Sequence, residues 1–248
     1  MIAKQSIGTR FKKLFGAQDM TAGRPWVNLA MFSAPLLVGN LAQQLYNTVD
    51  AIIVGQDVGD NALGAVGLTN PILNLLLALF MGVSTGAGIV VSQYFGAKDR
   101  DALSRSVGTI LVVTFWTGII TTIIGVAASR PLLMLLGTPP EMLDMASAYL
   151  TIIFIGMIGC AFYNIIGGIL RGLGDSVSPL LYLLIASVLN IFLDILFITQ
   201  FGMTTDGVAW ATILAQGISA VFCFIKLTRM RSVLDVNRRT IKLDSPIA

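Results

Sequence analysis

The sequence contains LYNTVDAIIVG at residues 45–55 and LNIFLDILFIT at residues 189–199, two apolar stretches that each enclose one aspartate. Of the thirteen acidic residues in the chain, Asp50 and Asp194 are the two whose flanking sequence would place them within a bilayer. A carboxylate at mid-membrane costs on the order of 2.5–3.5 kcal/mol by insertion scales, so a residue of this kind is a candidate for a functional site.

Each of these aspartates has an amide on its own predicted helical face. Asn47 precedes Asp50 by three residues, and Asn190 precedes Asp194 by four. Side chains at these spacings are neighbours on a helix, so each carboxylate lies beside a carbonyl oxygen. The pairing indicates an ion site, although a structural hydrogen bond between neighbouring helices would also account for such polar residues.

The composition indicates a polytopic membrane protein. Hydrophobic residues make up 55% of the 248 residues and charged residues 12%, and the mean hydropathy is +0.83, which is too apolar for a soluble domain. The chain has no histidine, and its two cysteines, Cys160 and Cys223, lie in apolar stretches. This excludes a plausible zinc, haem or catalytic-triad set. The glycines of GVSTGAG, residues 82–88, lack the Lys-Ser/Thr of a phosphate-binding loop and favour close helix packing.

Six segments are long and apolar enough to cross a membrane, for which about 20 residues are needed. The predicted spans are 27–54, 62–92, 107–128, 146–170, 178–200 and 208–227. We therefore predict an all-α integral membrane protein built as a bundle of six transmembrane helices.

The basic residues predict the orientation of the bundle. Fifteen of the sixteen Lys and Arg residues fall on one side, and Arg130 is the exception. By the positive-inside rule, both termini are expected in the cytoplasm. The predicted division is a cytoplasmic arm at 1–25, a six-helix lobe at 26–228, and a cytoplasmic tail or truncated inter-lobe linker at 229–248.

Three motifs carry a resemblance to a known family. The first is the run from Pro35 to Gly55, PLLVGNLAQQLYNTVDAIIVG, in the first span. The second is SQYFGAKD at residues 92–99, and the third is LRGLGD at residues 170–175, both in predicted inner loops. Together and in this order they resemble the N-terminal lobe of multidrug and toxic compound extrusion (MATE) transporters, over roughly residues 20–230.

The resemblance implies half of a secondary transporter with twelve helices, in which two six-helix lobes flank a cleft that opens alternately to either side. The expected location is the inner or plasma membrane. The chain would be a fragment whose partner is a C-terminal lobe; pairing with a second copy is the alternative. No nucleic-acid partner is expected, because the basic residues flank spans and form no stripe on a folded surface.

The resemblance is to the DinF-like branch of the family, and it implies which residues bind the coupling cation. Asp50 in the first span and Asp194 in the fifth match its acidic positions, and Asn190 matches an amide ligand. Thr212 in the sixth span and Asn164 in the fourth look like two further members of the cluster.

The chemistry of these residues suits either of two cations. Na⁺ needs several hard oxygen ligands, which Asp50, Asn190, Asp194 and Thr212 could supply. A proton needs one carboxyl group, and burial with a second carboxylate nearby favours the protonated form. The sequence does not choose between H⁺ and Na⁺, and it predicts no cofactor beyond the coupling ion.

A substrate cleft is expected beside the cation cluster. Gln43, Tyr46 and Asn47 share a helical stretch with Asp50, and Met157 and Tyr163 could add apolar surface, since methionine adapts to varied ligands. Ordinary packing or lipid contact is the competing interpretation for each.

The leading functional prediction is the lobe of a cation-coupled antiporter that exports organic, often cationic, drugs and is not an enzyme. A lipid-linked sugar flippase of the wider superfamily is the alternative within transport, although spans nearly free of basic residues argue against it. An intramembrane aspartyl protease would be expected to have a Gly-rich turn at its second aspartate, whereas Asp194 lies among bulky residues. A membrane scaffold without transport activity is the third class.

Overall fold

The computed structural model describes residues 25–230, which form α-helices joined by short turns. The predicted arm, apart from its last residue, and residues 231–248 of the predicted tail lie outside the described residues. The helices in chain order are α1 (Pro25–Ile53), α2 (Asp60–Gly96), α3 (Arg100–Leu135), α4 (Pro140–Ile155), α5 (Met157–Gly172), α6 (Val177–Thr199) and α7 (Thr205–Arg229), and a π-helical turn (Val54–Val58) follows α1.

The helices reproduce the predicted order of spans. Four of them, α2, α3, α6 and α7, are long and apolar enough to cross a membrane, and α4 with α5 forms a fifth span bent by 50°. Helix α1 is not among the helices that are apolar enough to be identified as spans by hydropathy. Its second half carries the polar residues Gln43, Gln44, Asn47 and Asp50. Since α1 packs against α6 within the same bundle, the predicted all-α membrane fold is confirmed.

The fourth span differs from its prediction, because the helix breaks at Gly156 inside the predicted range 146–170. A Cβ atom at Gly156 would overlap the side chain of Ile213 on α7, so the bend depends on the missing side chain. The hydroxyl of Thr122 on α3 donates a hydrogen bond to the carbonyl of Phe154 at 2.9 Å. The backbone just before the break is thereby satisfied by a neighbouring helix, as membrane helices require.

The centre of the bundle is formed by α4, α5 and α7, which pack against each other. On one side α6 covers α7 and carries α1, and on the other side α2 and α3 cover α4 and α5. Helices α1 and α2 therefore lie at opposite edges of the central helices, with a cleft between them.

The two loop motifs form the predicted inner turns of the bundle. The side chain of Asp99 caps α3 by accepting from the backbone N–H of Ala102 at 3.0 Å. Asp175 is buried and accepts from the N–H and hydroxyl of Ser178 at 2.9 and 2.7 Å, and it pairs with Lys226 of α7 at 3.2 Å. Carboxylates at helix N-termini are stabilised by the free N–H groups there, so both motif acids have a structural role.

Candidate functional site

The packing of α1 against α6 brings the two membrane aspartates together. Gly39 of α1 lies against Leu180 and Leu183 of α6, and the absence of a Cβ atom there permits the close approach. Asp50 occupies the last turn of α1, and Asp194 lies in the corresponding half of α6 with none of its surface exposed. The carboxyl groups of the two residues lie side by side.

A chain of polar side chains continues from this carboxyl pair to α7. The hydroxyl of Tyr46 lies beside Asp50 and is 3.3 Å from the Oγ1 atom of Thr212. Asn190, one turn before Asp194, points its Nδ2 atom at the same Oγ1 at 3.5 Å. Thr212 in turn donates to the backbone carbonyl of Val208 at 2.9 Å. Four of the five residues predicted to bind the coupling cation, Asp50, Asn190, Asp194 and Thr212, are therefore in one cluster.

Several oxygen atoms of this cluster are buried without a hydrogen-bond donor among the described residues. They are Oδ1 of Asp50, Oδ1 of Asn190 and both carboxylate oxygens of Asp194. An uncompensated buried acceptor costs about 1–3 kcal/mol, and more if it is charged. These oxygen atoms therefore fit the predicted cation as ligands, because a shared proton or a Na⁺ ion supplies the positive charge that would compensate them.

One residue near the carboxyl pair is not predicted by the sequence analysis. Tyr149 of α4 is buried, with 7% of its surface exposed, and lies within electrostatic range of both Asp50 and Asp194. No motif marks it, because it lies in an ordinary run of α4 and reaches the site through the packing of α4 against α7. It also lines the cavity described below, together with Asp50 and Thr212.

A cavity of about 470 Å³ lies between α1 and α2, and residues of α4, α5 and α7 form its floor. Gln43, Tyr46, Asn47 and Met157 line it, as predicted, and Asp50 and Thr212 reach it from the cluster. Gln44 beside Gln43 also lines it, as do four residues that the sequence analysis did not assign to the cleft, Asn70, Asn74, Cys160 and Gln216. Two of the cluster residues, Asn190 and Asp194, do not line this cavity and lie behind its wall.

Two predicted site residues lie elsewhere. Asn164 donates to the carbonyl and the Sγ atom of Cys160, one turn earlier on its own helix, at 2.9 and 3.5 Å. Tyr163 points toward α6, with its hydroxyl 3.4 Å from the carbonyl of Pro179, and does not line the cavity. Both lie nearer the C-terminal end of α5 than Met157 and Cys160. Neither makes a contact that supports its predicted role in the cluster or the cleft.

Among the described residues, no group of three or more His, Cys, Asp or Glu side chains is placed to hold a metal ion. The predicted Na⁺ ligands include two carboxylates, with amide and hydroxyl oxygens supplying the rest. Oxygen ligands of this kind suit hard cations rather than the soft transition metals.

Comparison with known proteins identifies one family. The MatE family model matches residues 35–196. The "Probable multidrug resistance protein YpnP" of Bacillus subtilis (strain 168) is 35% identical over 206 residues, which are 83% of this chain and 46% of that protein. The "Probable multidrug resistance protein YoeA" of the same organism is 30% identical over 229 residues, covering 90% of this chain and 50% of that protein.

Solved structures agree with these sequence relatives. A structure described as the outward-facing conformation of a multidrug resistance MATE family transporter of the MOP superfamily matches with a TM-score of 0.84 and 30% identity. The match covers 91% of this chain and 50% of that chain. The chain thus spans about half the length of the curated relatives and of the solved transporter that it matches.

Proposed function

Because the chain belongs to the MatE family, we propose that it acts as the N-terminal lobe of a cation-coupled antiporter that exports organic compounds by alternating access. Relatives at 35% and 30% identity are named as probable multidrug resistance proteins, which supports organic drugs as the cargo. The proposed partner is a C-terminal lobe or a second copy of this chain. The proposed location is the plasma membrane, with both termini in the cytoplasm.

The observation that carries the coupling proposal is the pair of carboxyl groups shared by two helices. Asp50 belongs to α1, Asp194 belongs to α6, and their buried oxygens lack donors among the described residues. A bound H⁺ or Na⁺ neutralises one of the two charges and holds α1 against α6. Release of the cation leaves two like charges in contact, which repel each other strongly at low dielectric.

The same helix connects the cation to the cargo. Gln43, Tyr46 and Asn47 of α1 line the cavity and precede Asp50 by one to two turns. A shift of α1 relative to α6 therefore changes the shape of the cavity when the cation leaves. This linkage gives an exchange of cation for cargo, because each ligand favours a different position of α1.

The alternative functions receive no comparable support. The described residues that line the cavity include no Lys or Arg, whereas a flippase for lipid-linked sugars needs positive charge for the phosphate groups of its cargo. The relatives are named as multidrug resistance proteins rather than proteases, which favours transport over peptide hydrolysis.

Transport in lipid vesicles tests the coupling directly. The assembled transporter that contains this chain is reconstituted, and export is measured under a Na⁺ gradient or a proton gradient imposed separately. We expect one gradient to drive export, and Asp50→Asn or Asp194→Asn to abolish that dependence. The matched control is Asp144→Asn, which alters an exposed carboxylate paired with Arg130. Wild-type gradient-driven export in either cluster variant would refute the coupling assignment.

A further inference from the structure

The cavity wall is unusually rich in carboxamide side chains. They come from three helices and form what we call the amide wall: Gln43, Gln44 and Asn47 of α1, Asn70 and Asn74 of α2, and Gln216 of α7. On α1, Gln43 and Asn47 are four residues apart, and on α2 the same spacing separates Asn70 from Asn74. Residues at this spacing point to the same side of a helix, so two pairs of amides line the cleft from its two edges.

The amide wall has unused hydrogen-bonding capacity. The side chains of Asn47, Asn70 and Asn74 are exposed toward the cleft, and within the described part of the chain they have no hydrogen-bonded partner. The Oε1 atom of Gln216 is buried and also lacks a donor among the described residues. Each carboxamide offers one acceptor and two donors, so the wall can receive a ligand that both donates and accepts.

The remaining lining carries little charge. Asp50 is the one Asp, Glu, Lys, Arg or His among the described residues that line the cavity, and it is engaged with Asp194 and Tyr46. Below the amide wall, the floor is apolar and consists of side chains such as Leu73, Ile153, Met157, Val208 and Ile213. A ligand that matches this lining has an apolar body and uncharged polar groups along one edge.

We propose that the amide wall selects uncharged compounds that bear amide groups on an apolar body, in the manner of small capped peptides. This proposal rests on the cavity being the substrate site of the proposed exporter, and it narrows the substrate class for that site. Each amide group of such a ligand offers a donor and an acceptor to the surrounding carboxamides, and a quaternary ammonium group offers neither. A site built to hydrogen-bond its ligand also rejects analogues that lack the matching groups, because its own polar atoms are then left unpaired.

Equilibrium dialysis on the purified chain in lipid nanodiscs tests the proposal with two probes that share an indole ring. N-acetyltryptophan amide is uncharged and has two amides, whereas N,N,N-trimethyltryptammonium is a cation without amides. The variant is the double substitution Asn70→Leu with Asn74→Leu, which keeps the branched shape of the side chain and removes the hydrogen-bonding groups. The matched control is Asn61→Leu, an exposed asparagine on the first turn of α2 outside the cavity.

We expect wild type to prefer the amide probe and the double variant to lose roughly tenfold in affinity for it, as the loss of two net hydrogen bonds predicts. Affinity for the ammonium probe should stay within about twofold, and the control should resemble wild type for both probes. Unchanged affinity for the amide probe, an equal loss for both probes, or a preference of wild type for the cation would overturn the proposal. These results leave the coupling proposal standing, because that one depends on gradient-driven export through Asp50 and Asp194.

Discussion

Asp194 has none of its surface exposed, and neither of its carboxylate oxygens has a hydrogen-bond donor among the described residues. A structural aspartate in a helix bundle is normally paired, as Asp175 is with Ser178 and Lys226. This difference between two buried acids of one chain supports the proposed role of Asp194 in the coupling site. In the proposed site, a cation that binds and leaves would compensate the unpaired oxygens of Asp194.

At the scale of single residues, Thr212 is predicted to be a ligand of the coupling ion. Its hydroxyl oxygen lies 3.3 Å from the hydroxyl of Tyr46 and 3.5 Å from Nδ2 of Asn190. Thr212→Val keeps the shape of the side chain and removes this oxygen, so Na⁺ affinity should fall roughly tenfold, the value of one ligand–ion contact. Calorimetric Na⁺ titration of the purified chain measures the change.

The control for this substitution is Thr199→Val on α6, because Thr199 is exposed and its hydroxyl bonds only within its own helix, to the carbonyl of Ile195. Na⁺ affinity in this variant should equal that of wild type. An equal affinity in Thr212→Val would remove Thr212 from the proposed ligands, and the site would then depend on the carboxylates and Asn190.

The residues of the site were predictable to the extent that membrane energetics mark them. Asp50 and Asp194 stand out because a charged residue in an apolar run is costly within a membrane. Asn190 was predicted from its helical spacing to Asp194. Tyr149 was not predictable, because a tyrosine in a membrane span is unremarkable until packing places it beside two carboxylates. Asn164 shows the converse, since it resembles a ligand in sequence while its amide NH2 group donates to the helix turn before it and not to the cluster.

At the scale of helices, α2 and α5 cross through small residues. Gly88 of α2 faces Gly172 of α5, where a Cβ atom would lie 2.6 Å from the carbonyl oxygen of Gly88. A Cβ atom at Gly168 would overlap the backbone and hydroxyl of Ser84, which also contacts Arg171 at 3.1 Å. Small residues four apart on both helices permit this close approach, as is common in membranes.

The crossing predicts opposite effects for two glycine substitutions. Gly168→Ala should destabilise the bundle by about 1–3 kcal/mol, because the added methyl group overpacks a backbone contact. Gly86→Ala on α2 has open space around it and should leave stability unchanged or raise it, since alanine favours helix by about 1 kcal/mol over glycine. Thermal unfolding in detergent, followed by circular dichroism, distinguishes the two. Equal melting temperatures would contradict the tight crossing.

The positions of the helices were largely predictable, whereas their interruptions were not. Runs of apolar residues predict spans because any bilayer segment must satisfy its own backbone. The break at Gly156 depends on Ile213 and Thr122 from other helices, and no local pattern records such distant contacts. The same limit applies to GVSTGAG, in which Gly88 packs closely while Gly82 and Gly86 have open space.

At the scale of the whole molecule, the described helices form one lobe of a transporter fold, and the chain spans about half the length of its curated relatives. The lobe contains both carboxylates and the cavity beside them, so the proposed cation binding should be measurable on the lobe by itself. Export needs a cleft that opens alternately to either side, and the proposed second lobe would supply its other wall.

The distribution of Lys and Arg predicts that the turn between α1 and α2 lies outside the cell and the turn between α2 and α3 lies inside. Single cysteines at Asn61 and Asp101, placed in a chain whose native cysteines are replaced by serine, can report this. A membrane-impermeant maleimide added to intact cells should label Asn61→Cys and leave Asp101→Cys unlabelled until the membrane is opened. The reverse pattern would invert the proposed orientation.

The central claim is that Asp50 and Asp194 share one exchangeable cation, and infrared difference spectroscopy of the purified chain tests it most directly. In Na⁺-free buffer near neutral pH, the shared site should hold a proton and show the carbonyl stretch of a buried carboxylic acid. Raising the pH should remove this band, and so should added Na⁺ if that ion competes for the site. The band should be absent from Asp194→Asn and present in Asp144→Asn. A band that persists in Asp194→Asn, or a wild-type spectrum without one, would contradict the account.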